Sequence, residues 1–206
     1  MLTTARLFDD TPYNSTFEAN VIYVGEDFII LDKTLFYPLS GNQNHDTGKI
    51  NGIPVTYVSV ENENEEKEEL SFTAPIKHFV DTSNFEKGQS VKGEINKEDR
   101  LKIMKLHAAS HIVEHFLQQM SGFLSVEGSF VNADKDRTDY KMSENITPER
   151  LASLETQVND FISSGKEITF TKEGDLRYWH CDNIDMLCCG THVANTPPVR
   201  IDGTPY

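Results

Sequence analysis

The chain has 206 residues, a formal net charge of −14, 37% hydrophobic residues and 3 cysteines. That length supports one large or two small domains, each with its own core, and the cysteines are too few for a disulfide framework. Its acidity counts against a dominant electrostatic grip on nucleic acid, and no apolar run approaches the roughly 20 residues of a membrane span, so no membrane partner is expected.

Up to residue 97 short alternating runs dominate. Residues 20–24, 27–31, 53–60, 70–72 and 77–80 read as strands between turns, which predicts a small β-barrel or sandwich over 1–97. Residues 36–48 (FYPLSGNQNHDTG) are rich in Gly, Asn and Asp, the residues of tight turns. Residues 61–69 carry six carboxylates and one lysine and read as a solvated hairpin loop. Basic residues gather next, at Lys87, Lys92, Lys97, Arg100, Lys102 and Lys105. They fit either a phosphate-facing surface or an ordinary solvated one.

Residues 98–206 predict an α+β domain with mainly antiparallel pairing. A helix is expected over 100–120, where Leu106, Ile112, Val113, Phe116, Leu117 and Met120 recur at three- and four-residue steps without Gly or Pro. Strands follow at 128–131 and 137–140. A second helix runs over 148–163, with Thr147 as cap, Pro148 in the first turn, Gly165 at the end, and Leu151, Leu154, Val158 and Phe161 as its buried stripe. Further strands are expected at 168–170 and 199–201.

The chemistry lies in two short pieces of this second half. His107 and His111 are one helical turn apart, so both project from one side of the first helix. Cys188 and His192 repeat the same spacing about 80 residues later, with Gly190 between them to let the loop curl. Three imidazoles and a thiolate form the tetrahedral donor set that Zn2+ favours, so one zinc ion is expected. A protease of the H-E-x-x-H type is excluded because Ala108, not Glu, follows the first histidine. His115, one turn further, is expected to be structural or solvent-facing, and Cys181 and Cys189 to be packed free thiols. Free thiols and no leader pattern predict a reducing, cytoplasmic setting.

Four segments, taken together, resemble one family over nearly the whole chain. Residues 104–111 (MKLHAASH) and 188–193 (CCGTHV) resemble the HTAxH and CGGTHV motifs of the alanyl-tRNA editing domain. Residues 36–48 resemble its FYPxGGGQxxDxG segment, and residues 85–95 with Arg100 resemble the strand before its first helix. The resemblance is to the longer free-standing AlaX type. It implies a small amino-terminal β-domain, a zinc-containing editing domain, and hydrolysis of the ester joining a wrong amino acid, serine or glycine, to tRNA for alanine. It also implies substrate contacts from Gly128, Ser129, Asp139 and Thr191, and from Gln43 and Asp46 of the glycine-rich loop.

The chain departs from the family at Ser40-Gly41-Asn42, where the family has three glycines, at Val126, where the synthetase version has Gln, and at the end, where a glycine- and lysine-rich segment usually follows. Such editing answers a real physical need, since an apolar pocket for alanine rejects an added hydroxyl by only about a hundredfold. Two other readings fit the residues. One is a zinc-stabilised RNA-binding or regulatory module without turnover, favoured by four ligands that close the metal shell. The other is a hydrolase of a smaller ester or amide, favoured by the acidic charge.

Overall fold

Alternation of apolar and polar residues builds the first half strand by strand. The structure, a computed structural model, describes residues 2–61 and 72–200. It divides into two units, Met1–Leu101 and Lys102–Tyr206. The first contains β1 (Ala5–Arg6), α1 (Leu7–Asp10), β2 (Thr16–Val24), β3 (Phe28–Leu31), β4 (Lys33–Thr34), β5 (Gly48–Ile50), β6 (Ile53–Val55), β7 (Tyr57–Val60), β8 (Ile76–Phe79) and β9 (Ser90–Ile95). Seven of these strands form one antiparallel sheet in the order β6-β5-β9-β2-β3-β8-β7. A short parallel pair, β1 with β4, stands apart.

The strands match the expected type, but the barrel does not close. β6 and β7 are the two edges of the sheet, yet only Thr56 separates them in the chain. The sheet therefore curls until its edges nearly meet, and no ladder joins them among the described residues. Phe17, Ala19 and Val21 on β2 and Val91 and Ile95 on β9 point into the core with Ile29 and Leu31. Each large apolar side chain buried there contributes roughly 1.5–3 kcal/mol. Gly48 allows the closest strand contact, since a Cβ on it would lie 2.1 Å from the Glu94 carbonyl oxygen. The acidic run at 62–69 lies outside the described residues, as do parts of the strands expected at 70–72 and 199–201.

The turn-rich segment 36–48 is locked by a buried ion pair within this unit. Arg100 meets Asp46 with Nε 2.9 Å from Oδ1 and Nη2 on Oδ2, and Nη2 also donates to the Leu35 carbonyl at 2.7 Å. Arg100 Nη1 donates to Pro12 O at 3.2 Å. Asp46 Oδ2 also accepts the Tyr37 N–H at 2.6 Å, and the Asp46 N–H donates to Tyr37 O at 3.0 Å. At the tip, Gly41 and Asn42 take φ of 53° and 63°, and Ser40 and Gln43 pair across them. Asparagine enters the left-handed region more readily than most residues, so the tight turn survives loss of a glycine there.

His78 is a buried titratable group of this core without an ion-pair partner among the described residues. Its Nε2 lies 2.9 Å from Thr34 Oγ1 and its ring meets the edge of Phe36 at 5.5 Å. Burial lowers its pKa to about 4. Above pH 6.5 both folded and unfolded chains carry it neutral. As pH falls from 6.5 to about 4 the unfolded chain gains a proton that the fold refuses, and stability drops by up to about 3 kcal/mol. Urea unfolding of the parent and of His78→Gln at pH 7 and pH 4.5 is expected to show a smaller acid loss in the variant; equal losses would count against the assignment.

The second unit takes most of a long helix, α2 (Lys97–Gln118), then β10 (Phe123–Val131), β11 (Asp136–Met142), α3 (Pro148–Ser163), β12 (Ile168–Glu173), β13 (Leu176–Cys181) and β14 (Ile184–Leu187). α3 starts as its sequence dictates: Thr147 accepts from the Arg150 N–H, Pro148 opens the first turn, and Leu154, Val158 and Ile162 are buried. β10 and β11 form an antiparallel hairpin, and β12-β13-β14 form an antiparallel sheet. The strands expected at 168–170 and 199–201 leave out β13 and β14. Their sequence signal was the two-residue Asp182-Asn183 turn, where Asp182 takes φ 56°, between the aromatic-rich run 176–181 and residues 184–187. Among the described residues no helix is long and apolar enough to cross a membrane.

Candidate metal centre

α2 and the loop after β14 bring together the four donors that lie far apart in sequence. One ligand atom from each of His107, His111, Cys188 and His192 lies within 4.8 Å of the others. Cys188 Sγ is 3.1 Å from His192 Nε2 and 3.6 Å from His107 Nε2. The ring centroids of His107 and His192 are 4.2 Å apart, and those of His107 and His111 4.9 Å. The helical spacing accounts for the first pair. The second pair is set by the curl of the loop, in which the Gly190 N–H donates to Cys188 Sγ at 3.3 Å.

Burial dominates the electrostatics of this cluster. It lowers the pKa of His107 and His192 well below the ordinary imidazole range, helped by the other site histidines and by Arg177. It lowers His111 to about 4 and raises the Cys188 thiol to about 12, against the pull of the Gly190 N–H and Arg177. The protein alone therefore favours three neutral imidazoles, which is the protonation state a metal requires of them. Among the described residues, His111 Nε2 and His192 Nδ1 are buried without hydrogen-bond partners. An unsatisfied buried nitrogen is costly, and coordination or an ordered partner removes that cost. Three imidazole nitrogens and one sulfur at this spacing fit a tetrahedral divalent cation of the zinc type.

The sheet β12-β13-β14 lies behind the donors. Trp179 is fully buried, 5.1 Å from the His111 ring and 5.9 Å from the His192 ring. Phe170 lies 5.7 Å from His192. Arg177 is buried, stacks over Phe170 at 3.6 Å, and donates from Nη1 to the Gly190 carbonyl at 2.7 Å and the Cys188 carbonyl at 3.4 Å. After His192 the chain is tied back to β12, with the Ile168 N–H on Ala194 O and the Thr196 N–H on Lys166 O, both at 2.8 Å.

The other expected site residues fall in varied places. Thr191 is buried in the donor loop. Gly128 and Ser129 pair with Asp139 and Thr138 across the β10–β11 hairpin, and nothing lies within 4 Å of where a Cβ on Gly128 would sit. Asp139 is about half exposed and pairs with Arg137 at 2.8 Å, on the face of β11 opposite to Asp136, Thr138 and Tyr140. Gln43 and Asp46 are buried in the first unit, and both Asp46 oxygens are engaged by Arg100. His115 lies at the exposed end of α2 against Gln119.

A polar row outside the expected site residues lies beside the donors. Ser110 and Glu114 continue the α2 stripe of His107 and His111 at helical spacing. Ser110 Oγ is 3.3 Å from Thr138 Oγ1 and also hydrogen-bonds Asp136. Burial raises the pKa of Glu114, with a smaller push from Asp136, and burial likewise raises Asp136 and the Tyr140 phenol. The alternation of Asp136, Thr138 and Tyr140 on one side of a strand was the signal that marked this row.

Fold and site define the class: an α+β chain with mostly antiparallel sheets and a His3Cys cluster in which His107 and His192 are buried and His111 and Cys188 partly so. Comparison with known proteins places it further. Residues 5–99 match the family model described as tRNA synthetases class II (A). The alanyl-tRNA editing protein AlaX-M of Pyrococcus horikoshii is 31% identical over 93% of this chain and 86% of its own length. The alanine–tRNA ligase of Methanococcus vannielii is 33% identical over 95% of this chain, and that of Methanoregula boonei 28% over 94%. The chain spans only 23% of the length of either ligase. The chain belongs to the AlaX-type alanyl-tRNA editing family.

Proposed function

We propose that this chain is a trans-editing deacylase that hydrolyses the ester between a wrong amino acid, serine or glycine, and tRNA for alanine. The convergence of His107, His111, Cys188 and His192 carries this reading, in a chain whose relatives include a protein named for alanyl-tRNA editing. In this reading residues 98–206 form the deacylase domain, and residues 1–97 form a β-domain whose turn-rich loop takes part in substrate choice. Asp46 serves that loop as its anchor, and Gln43 lies in it.

The four donors would hold one zinc ion. When bound, zinc supplies a fixed positive charge that orients the aminoacyl group. Hydrolysis joins a water oxygen to the ester carbonyl carbon, breaks the bond from that carbon to the ribose oxygen, and returns the water's proton to the ribose oxygen, assisted by the neighbouring ribose hydroxyl. The chain limits access of bulk water by burying His107 and His192, and offers hydroxyls from Thr191 and Ser129. Gly128 leaves the adjoining strand open, and Asp139, on the outer face of the same hairpin, holds the Arg137 guanidinium where it would meet the nucleic acid. A serine hydroxyl finds hydrogen-bond partners in such a polar setting where alanine's methyl cannot, and discrimination of this kind exceeds what size alone achieves.

Three substrates test the proposal: seryl-tRNA and alanyl-tRNA for alanine, and a small seryl ester. Release of serine from the tRNA is expected to exceed release of alanine by at least about a hundredfold in kcat/KM. Binding of tRNA without turnover would support the zinc-stabilised RNA-binding module instead, and cleavage of the small ester alone would rule out editing.

A further inference from the structure

The donor loop is held by a side chain that is neither a metal ligand nor one of the expected substrate contacts. Arg177 grips residues 188–190 from two directions. Its main-chain oxygen accepts the Cys188 N–H at 2.9 Å, and its guanidinium Nη1 takes the carbonyls of Gly190 at 2.7 Å and Cys188 at 3.4 Å. The guanidinium is itself pinned, because its Cζ sits over the Phe170 ring, 3.6 Å from the centroid. Phe170 also reaches the His192 ring at 5.7 Å, so one ring braces both the clamp and a donor. Sheet register produces this layout. Phe170 pairs with Trp179, and Arg177 sits two residues before Trp179 on the same buried face of β13.

We propose that Arg177 is the positioning residue of the metal centre. By fixing two carbonyls of the Cys188–Gly190 curl against the Phe170 ring, it sets the placement of Cys188 Sγ and His192 and so the affinity for a single divalent cation. This inference rests on the reading that the four donors bind such a cation. Two features of arginine suit the role. Its planar, rigid fork stacks on an aromatic face while donating in its plane, whereas a lysine ammonium is a point charge on a flexible stem. It remains charged while buried, so its donors stay directed at the carbonyls. Outer groups that orient metal ligands typically change metal affinity by about 10–100-fold when removed.

The test is titration of the metal-free full chain with Zn2+ against a competing chelator, together with the visible spectrum of the Co2+ form. Arg177→Gln is expected to weaken Zn2+ binding by about 10–100-fold and to alter the cobalt ligand-field bands. Arg177→Lys is expected to recover part of the affinity, since one ammonium serves one carbonyl but does not stack as a plane. Urea unfolding of the metal-free proteins separates positioning from plain structure. A lower unfolding midpoint with Zn2+ affinity within twofold of the parent and a superimposable cobalt spectrum overturns the proposal. Should Arg177→Gln prove insoluble, Phe170→Leu carries the same test: loss of affinity with an altered cobalt spectrum supports the clamp, and an unchanged affinity and spectrum overturn it. A parent chain that binds neither Zn2+ nor Co2+ defeats the metal-centre reading itself, an outcome distinct from a parent and a variant that bind equally.

Discussion

Replacing Cys188 with alanine is expected to leave a chain that no longer retains stoichiometric zinc through dialysis and that deacylates seryl-tRNA at least about a hundredfold more slowly, a loss of roughly 2.7 kcal/mol in transition-state stabilisation. Cys188 is the one donor of the four that becomes anionic on coordination. Three imidazoles leave the full double charge of the cation in a buried pocket beside the Arg177 guanidinium, which acts on this cluster as a nearby positive charge. Burying that excess charge is unfavourable, and loss of metal is the way to avoid it. Removing zinc from the parent with a chelator is expected to have a parallel effect. A ligand present at a hundred times its dissociation constant stabilises by about 2.7 kcal/mol. For a chain of this size that corresponds to roughly 5–10 °C in the unfolding midpoint. Metal analysis, deacylation assays and thermal scans with and without chelator measure these effects. A Cys188→Ala protein that keeps its zinc and its activity would overturn the assignment.

The second large effect is expected far from the donors in sequence. Asp46→Ala should destabilise the first unit by about 3–5 kcal/mol, because it strands a buried guanidinium. Both partners are only 2% exposed, so water cannot replace the lost carboxylate without opening the fold. Arg100 would keep the Leu35 and Pro12 carbonyls, but these are neutral acceptors. The Tyr37 N–H would lose its acceptor as well, and with it one of the two ties that cross the base of the 37–46 segment. Pairing Asp46→Leu with Arg100→Met is expected to recover most of the loss, as replacement of a complete buried ion pair by apolar groups is often neutral or better. Urea unfolding followed in the four proteins of this double-mutant cycle gives the coupling directly. Single variants that cost less than about 1 kcal/mol would show that the pair is not what holds the segment. If the loop takes part in substrate choice, Asp46→Ala should also narrow the seryl-over-alanyl preference.

Much of this centre was legible in the sequence because the information is local. His107 and His111 share one side of a helix by spacing alone, and Cys188, Gly190 and His192 announce a curled donor loop. The cap, first turn and buried stripe of α3 likewise follow from Thr147, Pro148, Leu154 and Val158. The polar row escaped notice because Glu114 and Asp136 look like ordinary surface carboxylates until burial raises their pKa values. Arg177 escaped because a single arginine in an unrecognised strand carries no spacing signal.

What the sequence determined by itself is the chemistry on offer: three imidazoles and a thiol in two short-range pairs, a family-type turn-rich loop, and strands and helices of the expected kinds. Side-chain type and near-neighbour spacing are properties of a few consecutive residues, so they are readable without a fold. Only the tertiary structure decided that the two pairs converge within 4.8 Å, that Arg177 and Phe170 brace the donor loop, that Asp46 is spent on Arg100, and that the first sheet curls without closing. Those outcomes depend on sheet register and on contacts between residues tens of positions apart; a one-residue slip of β12 or β13 would turn Phe170 or Arg177 to the opposite face of the sheet.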